Sequence, residues 1–391
     1  MKNVRYGIIG LGNQGSSYLL NIFEGGFAKN ACVSAVCDIN PDKIEAIKAK
    51  TTNEGLVYFT DYIEMLDSGL CDAVLVETPH YDHPKMVIEC LKRGIHVICD
   101  KPAGVYAKQV REMNEVAEMS GAKFGMMFNQ RTNCIYRKMK EIVASGELGA
   151  IKRTNWIITD WYRPNAYYAS GDWRATWSGE GGGVLLNQCP HNLDLWQWIC
   201  GMPKTVEAKL HFGKWHDIEV EDDVSAYVEY ENGATGIFVT TTGDAPGTNR
   251  FEITLEKGKI VADKKTLKIW KSEENMTEAE FSATNTSPFG HMKFTEMDVE
   301  TDGENLQHVG VFNAFAAHIL HGTPLVADGR EGINGLTISN AMHLSAWTGK
   351  AIDIATFDHA LYKEELMKRV ATSRRKTVTT NAVAADMSDT F

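Results

Sequence analysis

Apolar and polar positions change rhythm along this chain. Residues 4–9, 33–37, 73–77, 97–99 and 124–128 are short apolar runs, each the length of a buried strand. Between them, residues 15–23, 41–50, 84–93 and 105–120 read as helices, one of them with Asn40 as cap and Pro41 in its first turn. Strands alternating with helices predict a doubly wound parallel sheet.

Near residue 150 the texture changes. Residues 152–160, 205–212, 224–230, 235–241, 250–255 and 259–262 read as successive strands, and Asn232-Gly233 between two of them is a hairpin signal. Half-buried alternation with short turns predicts a mostly antiparallel sheet. Helices return at 187–199, 310–320 and 334–347. The expected fold class is α/β in two domains. Residues 1–128 hold the parallel sheet, and 129–371 form an α+β domain with a large open sheet and helices on one face. Residues 372–391 turn basic, then small and polar, and read as a flexible tail or partner-binding arm.

Composition narrows the class. A length of 391 residues favours two domains, and 43% hydrophobic with 23% charged residues is ordinary for a soluble globular chain. A net charge of −11 argues against nucleic acid or an anionic membrane as partner. No apolar run is long enough to span a bilayer. The sequence enters a strand without a signal-peptide pattern, which leads to an expected cytoplasmic location. The eight cysteines form no C-x-x-C pair and mostly sit in apolar contexts, so buried thiols and no metal site are expected.

The first strand runs into Gly10-Leu11-Gly12-Asn13-Gln14-Gly15, a G-x-G-x-x-G turn that opens a helix. Its first glycine makes the turn, its second lets backbone meet a pyrophosphate, and its third permits close helix–strand packing. Asp38 ends the second strand, where a carboxylate bonds ribose hydroxyls and repels a 2′-phosphate. No arginine occurs in Asp38-Ile39-Asn40-Pro41, so NAD is the expected cofactor. Thr78-Pro79-His80 lies at the carboxyl edge of the next strand. Two readings stand for His80 and His83: they flank the nicotinamide, or they cap the helix near Pro84.

Asp100-Lys101-Pro102 follows the strand at 97–99. A lysine between a strand end and a rigid proline has little freedom, and crowding lowers its pKa. Gly181-Gly182-Gly183 precedes a helix bearing His191, a group able to exchange protons near neutral pH. Just before it, residues 160–168 and Asp172-Trp173-Arg174 are dense in aromatics, as in pockets that pack on sugar rings. Residues 240–249 read as a far wall of that pocket. Glu221-Asp222-Asp223 reads as a solvated strand entry, and His308 either reaches the pocket or, as the preferred reading, starts a helix.

These motifs, in this order from Val4 to Trp347, resemble the Gfo/Idh/MocA oxidoreductase family. The resemblance implies a Rossmann domain followed by an open-sheet domain, with Lys101 and His191 as catalytic pair. It implies cofactor contacts from Gly10, Gly12, Asn13, Gln14, Gly15, Asp38, Ile39, Thr78, Pro79, His80, His83, Asp100, Lys101, Asn129, Trp173 and Arg174. Substrate contacts are expected from Lys101, Tyr162, Arg163, Tyr168, Asn187 and His191. Two departures stand out. Asp100 replaces the family's usual glutamate. Asn187 stands where relatives carry an aspartate, one helical turn before His191, and Asp194 on the same face either substitutes for it or pairs with a nearby base.

The resemblance implies NAD-dependent oxidation of a secondary ring hydroxyl of a sugar or glycoside, and residues 187–194 look most like family members that oxidise C3 of glucosides. Inositol or anhydrosugar dehydrogenation, an NAD-dependent glycosidase acting by transient oxidation, and a non-enzymatic sensor are the alternatives. The expected partners are a small carbohydrate and a second copy of the chain, in a homodimer or homotetramer formed through the C-terminal sheet.

Overall fold

The computed structural model describes residues 3–374 and 376. Six strands form the N-terminal sheet: β1 (Val4–Ile9), β2 (Ala31–Cys37), β3 (Val57–Phe59), β4 (Ala73–Val76), β5 (His96–Cys99) and β6 (Phe124–Met126). All pairings are parallel, in the order β3-β2-β1-β4-β5-β6. That order places a crevice at the carboxyl ends of β1 and β4, where the winding reverses. The crossover helices are α1 (Asn13–Ser17), α2 (Pro41–Lys48), α3 (Tyr62–Asp67), α4 (His83–Lys92) and α5 (Ala107–Met119).

Two details differ from the sequence expectation. The helix expected over 15–23 begins at Asn13 and widens into a π-helix at Tyr18–Phe23. β3 and α3 carry no strong periodic signal, because they have only three and six residues.

The second sheet has nine strands among the described residues, in the order β14-β13-β12-β11-β7-β10-β9-β8-β15. They are β7 (Ile151–Ile158), β8 (Thr205–Phe212), β9 (Glu221–Glu229), β10 (Thr235–Thr241), β11 (Asn249–Leu255), β12 (Gly258–Asp263), β13 (Thr266–Ser272), β14 (Phe294–Asp298) and β15 (Ile352–Asp353). The sheet is antiparallel except where β7 lies parallel to β10. Asn232-Gly233 does turn the β9–β10 hairpin, with Gly233 at φ +82°.

The accompanying helices are α6 (Cys134–Ser145), α7 (Asn165–Tyr168), α8 (Pro190–Cys200), α9 (Glu278–Thr284), α10 (Gln307–His321), α11 (Gly332–Thr348) and α12 (His359–Ala371). Trp156 on the inner face of β7 stacks on Phe251 with centroids 4.3 Å apart, and Trp196 of α8 stacks on Phe238 at 5.3 Å. On the opposite face Ile157, Tyr227 and Ile237 stay exposed.

Chain order and packing part company at α10. Its place in the sequence assigns it to the second sheet. Instead Phe312 and Phe315 join the core around Tyr6 and Tyr18 of the first. Phe315 covers Gly125 of β6, so this helix closes one side of the nucleotide-binding unit.

Candidate active site

The glycine turn is shaped by what a side chain would meet. A Cβ on Gly15 would lie 2.0 Å from the Gly10 carbonyl oxygen, whereas one on Gly12 would meet nothing within 4 Å. Gly10 and Gly15 are thus glycine for packing, and Gly12 faces open space at the mouth of the crevice. Exposed Asn13 and half-buried Gln14 start α1 beside it. Asp38 closes the turn, because its carboxylate accepts from Leu11 N at 2.8 Å and Asn40 N at 2.9 Å, with Lys43 Nζ at 3.3 Å. A carboxylate has about four acceptor sites, so Asp38 keeps capacity for ribose hydroxyls. Ile39, 87% exposed, stands at the same rim.

His80 and His83 separate into different roles. His80 is buried, its Nδ1 lies 3.1 Å from Glu180 O, and its ring meets Trp173 edge-on at 5.7 Å. Burial and then the His83 charge hold its pKa well below the usual value. His83 is expected at the cofactor, but the structure corrects this. Its nitrogens lie 2.6 Å from Thr78 O and 2.7 Å from Pro102 O, and the residue is 1% exposed. It pins the Thr78-Pro79 turn to the Lys101-Pro102 turn and leaves no nitrogen for a ligand. Thr78 packs its methyl under Gly10, and Pro79 is exposed at the rim.

Lys101 leaves the end of β5 and donates to Asn187 O at 2.7 Å, at the entry to α8. Burial lowers its pKa, while Asp100 and Glu180 counter by raising it. Burial also raises Asp100, which Lys101 pulls back down. Glu77, at the neighbouring strand end, is pushed well above its ordinary value by burial and by Asp100, and Lys101 counters by lowering it. His191 occupies the first turn of α8, buried, with Phe128 edge-on at 6.4 Å. Burial, followed by the charges of Lys101 and His308, drives its pKa well below 6.5. Burial thus favours the neutral imidazole of His191 and weakens the hold of Lys101 on its proton.

From the sequence His308 either reaches the pocket or starts a helix, the second being the preferred reading. It lies close enough to Lys101 to feel its charge, and burial lowers its pKa to about 3. The packing of α10 on the first sheet brings it there.

Asp194 turns away from His191. Arg131 binds it from Nε at 2.8 Å and Nη2 at 2.6 Å, so it is the partnered carboxylate of a buried ion pair. Glu221 and Asp222 are both 0% exposed and overturn the expectation of a solvated strand entry. Glu221 accepts from Gly183 N at 2.8 Å and Leu185 N at 3.0 Å, which anchors the glycine run to β9. Asp222 accepts from the backbone of Lys214, Trp215 and His216.

In the aromatic loop the register of the polar tips is corrected. Tyr168, expected at substrate, is buried and donates to Thr242 Oγ1 at 2.7 Å, away from Lys101. Tyr167 is the one that reaches the Asn187 turn. Its hydroxyl is 3.3 Å from Asn187 Oδ1 and accepts from Arg174 Nη1 at 2.8 Å and Gln188 Nε2 at 3.1 Å. Arg174 lies over the rings of Tyr167 and Trp173. Arg163 covers Trp161 and Tyr167, while Tyr162 is exposed at the rim. Asn129 is buried, and its amide donates to Gln307 at 2.5 Å. Sequence reading missed Tyr167, Glu180 and Gln188. Adjacent tyrosines are indistinguishable by type, and only the turn geometry tells which one faces inward.

A concavity of about 530 Å³ lined by Arg250, Asp263, Lys268 and Trp270 lies on the second sheet, and no residue of the Lys101–His191 cluster lines it.

A model of the oxidoreductase family with NAD-binding Rossmann fold matches residues 4–128, and one of the GFO/IDH/MocA C-terminal domain matches 136–261. The chain belongs to the Gfo/Idh/MocA oxidoreductase family. Its N-terminal unit is an NAD-binding domain.

Among this family's members, the chain is 25% identical over 340 residues to a D-glucoside 3-dehydrogenase of Escherichia coli, covering 82% of this chain and 89% of that one. It is 26% identical over 268 residues to a myo-inositol 2-dehydrogenase of Thermotoga maritima, covering 66% and 75%. The WlbA dehydrogenase of Bordetella pertussis, solved with NADH and UDP-GlcNAcA, superposes with a TM-score of 0.74 at 25% identity, over 90% of this chain and 99% of that one. The open space above Gly12 and the spare acceptor capacity of Asp38 fit such a dinucleotide. When bound, NAD supplies a hydride acceptor.

Proposed function

We propose that this protein oxidises a secondary ring hydroxyl of a sugar or glycoside with NAD, with C3 of a glucoside as the favoured position. The observation that carries the reading is Lys101 Nζ held 2.7 Å from Asn187 O at the head of the helix bearing neutral His191. His191 accepts the hydroxyl proton as general base. Lys101 orients that hydroxyl and stabilises the negative charge that develops on oxygen. Asn187, Tyr167 and Arg174 offer hydrogen bonds to neighbouring hydroxyls, and Trp161 and Trp173 offer apolar faces. Gly10–Gly15, Asp38, Ile39, Thr78, Pro79, His80, Lys101, Asn129, Trp173 and Arg174 are the residues that would hold the dinucleotide. The dehydrogenase relatives that act on a glucoside and an inositol support the substrate class.

Residues 1–128 and 129–371 serve as cofactor and substrate domains, with α10 returned to the first. Eight free cysteines fit a reducing, cytoplasmic setting. No helix among the described residues is long and apolar enough to cross a membrane.

The test is NADH absorbance across glucosides, inositols, anhydrosugars and free aldoses, with the product ketone located by NMR. NADH formed from a glucoside with a 3-keto product is the expected result. Aglycone release with tightly held NAD and no net NADH points instead to a glycosidase, and NAD binding without turnover of any polyol points to a sensor.

A further inference from the structure

Asn187 leaves the turn before α8 without a carboxylate, and Asp194 on α8 is committed to Arg131. A different acid is bonded to the same Asn187 that Lys101 donates to. Glu180 is 3% exposed and sits one residue before the glycine run. Its Oε1 accepts from Asn187 Nδ2, and its Oε2 accepts from Ala175 N at 2.5 Å. Its backbone carbonyl meets His80. We propose that Glu180 is the carboxylate of this catalytic centre, a positioning residue that balances the Lys101 ammonium and aims the Asn187 carboxamide. The inference rests on the assignment of Lys101 and His191 above.

Two physical arguments carry it. A carboxylate only accepts hydrogen bonds, so Glu180 draws the Asn187 amide nitrogen to itself and turns Oδ1 toward Tyr167 and the pocket. Lys101 also faces a mixed field. Asp100 and Glu180 raise its pKa, Arg174 and Arg163 lower it, and His191, His80 and His308 feel its charge in return. Glu77, from the β4 end, is raised by burial and by Asp100, with Lys101 pulling against them. Asp100 alone sits on the lysine's own turn, so Glu180 is the anion that the opposing element contributes.

The test reads Lys101 directly on the full-length protein. Acetylation of Lys101 by acetic anhydride is followed against pH by peptide mass spectrometry, without substrate. In Glu180→Gln the midpoint should move to lower pH by about one unit, a tenfold rise in the uncharged fraction below it. Glu180→Asp, which keeps the charge, should stay near wild type. The double variant Glu180→Gln with Asn187→Asp exchanges the amide and the carboxylate between the two positions. The introduced glutamine then accepts from Ala175 N through its oxygen and donates its amide to the introduced aspartate. The midpoint should return.

NAD binding and circular dichroism report whether each variant is folded, and Glu180→Asp with the double variant keeps the test open if Glu180→Gln does not fold. An unmoved midpoint in folded Glu180→Gln overturns the proposal, as does failure of the double variant to restore it. A purely structural role would lower stability without moving the midpoint. Failure of the wild type to make NADH from any polyol would sink the proposed reaction and leave the labelling result standing.

Discussion

At the scale of single residues, burial decides which groups can act. His191 must be neutral to take a proton, and burial with the Lys101 charge places its pKa below 6.5. A base with a lowered pKa stays competent until the pH falls through that lowered value. The acid limb of kcat/KM should therefore lie below pH 6.5, and a limb above it would remove His191 as the base. His191→Ala and Lys101→Ala should each reduce kcat by about 10²–10⁴-fold with folding retained, as measured by steady-state NADH formation. The glycine turn offers a second contrast. Gly12→Ala meets no atom, so its stability should stay within about 0.5 kcal/mol of wild type while NAD affinity falls. Gly15→Ala drives a Cβ against the Gly10 carbonyl and should instead lower the urea midpoint.

At the scale of elements, α8 is held where it is by a residue on another strand. Glu221 bonds the backbone of Gly183 and Leu185, and its Oε2 lies 3.0 Å from His343 Nε2 of α11. Glu221→Ala would strand two buried N–H groups, at about 1–3 kcal/mol each. The expected result is a loss of roughly 2–5 kcal/mol in denaturant unfolding, with a rise in substrate KM as the turn drifts. Unchanged stability would show that the turn does not depend on this anchor. The strands and the main helices are legible in the sequence because their periodicity is local. The role of Glu221 is not, since a run of three acids reads as solvated until β9 is packed against the glycine turn and α11. The choice between Tyr167 and Tyr168 is hidden for a similar reason: one helical step of about 100° sends neighbours to different surroundings.

At the scale of the whole molecule, the second sheet buries one face under α6, α8 and α11 and leaves the other open. Ile157 and Ile237 are 41% and 45% exposed, on β7 and β10 at the middle of nine strands. A broad sheet face with central isoleucines fits a second copy of the chain, as a dimer or tetramer. Ile237→Asp should shift the wild-type assembly toward monomer in sedimentation velocity, and a monomeric wild type would end the idea. The C-terminal segment is better held than its composition implies. Ser373 and Arg374 bond Glu219, and Lys376 donates to Arg174 O at 2.8 Å. The rest of the expected tail lies outside the described residues.

The sequence by itself determined the two sheets and the NAD-binding turn, because each rests on local spacing or on a motif whose geometry is set within a few residues, whereas the Lys101–His191 pair came from the family resemblance and is proposed as the catalytic pair. Tertiary structure alone decided that α10 covers the first sheet, that Asp194 serves Arg131, and that Glu180 and Tyr167 face Lys101 and Asn187. Those outcomes depend on which side chains are desolvated together, and residues far apart in sequence, such as Arg131 with Asp194 and Asn129 with Gln307, meet only when the chain is packed.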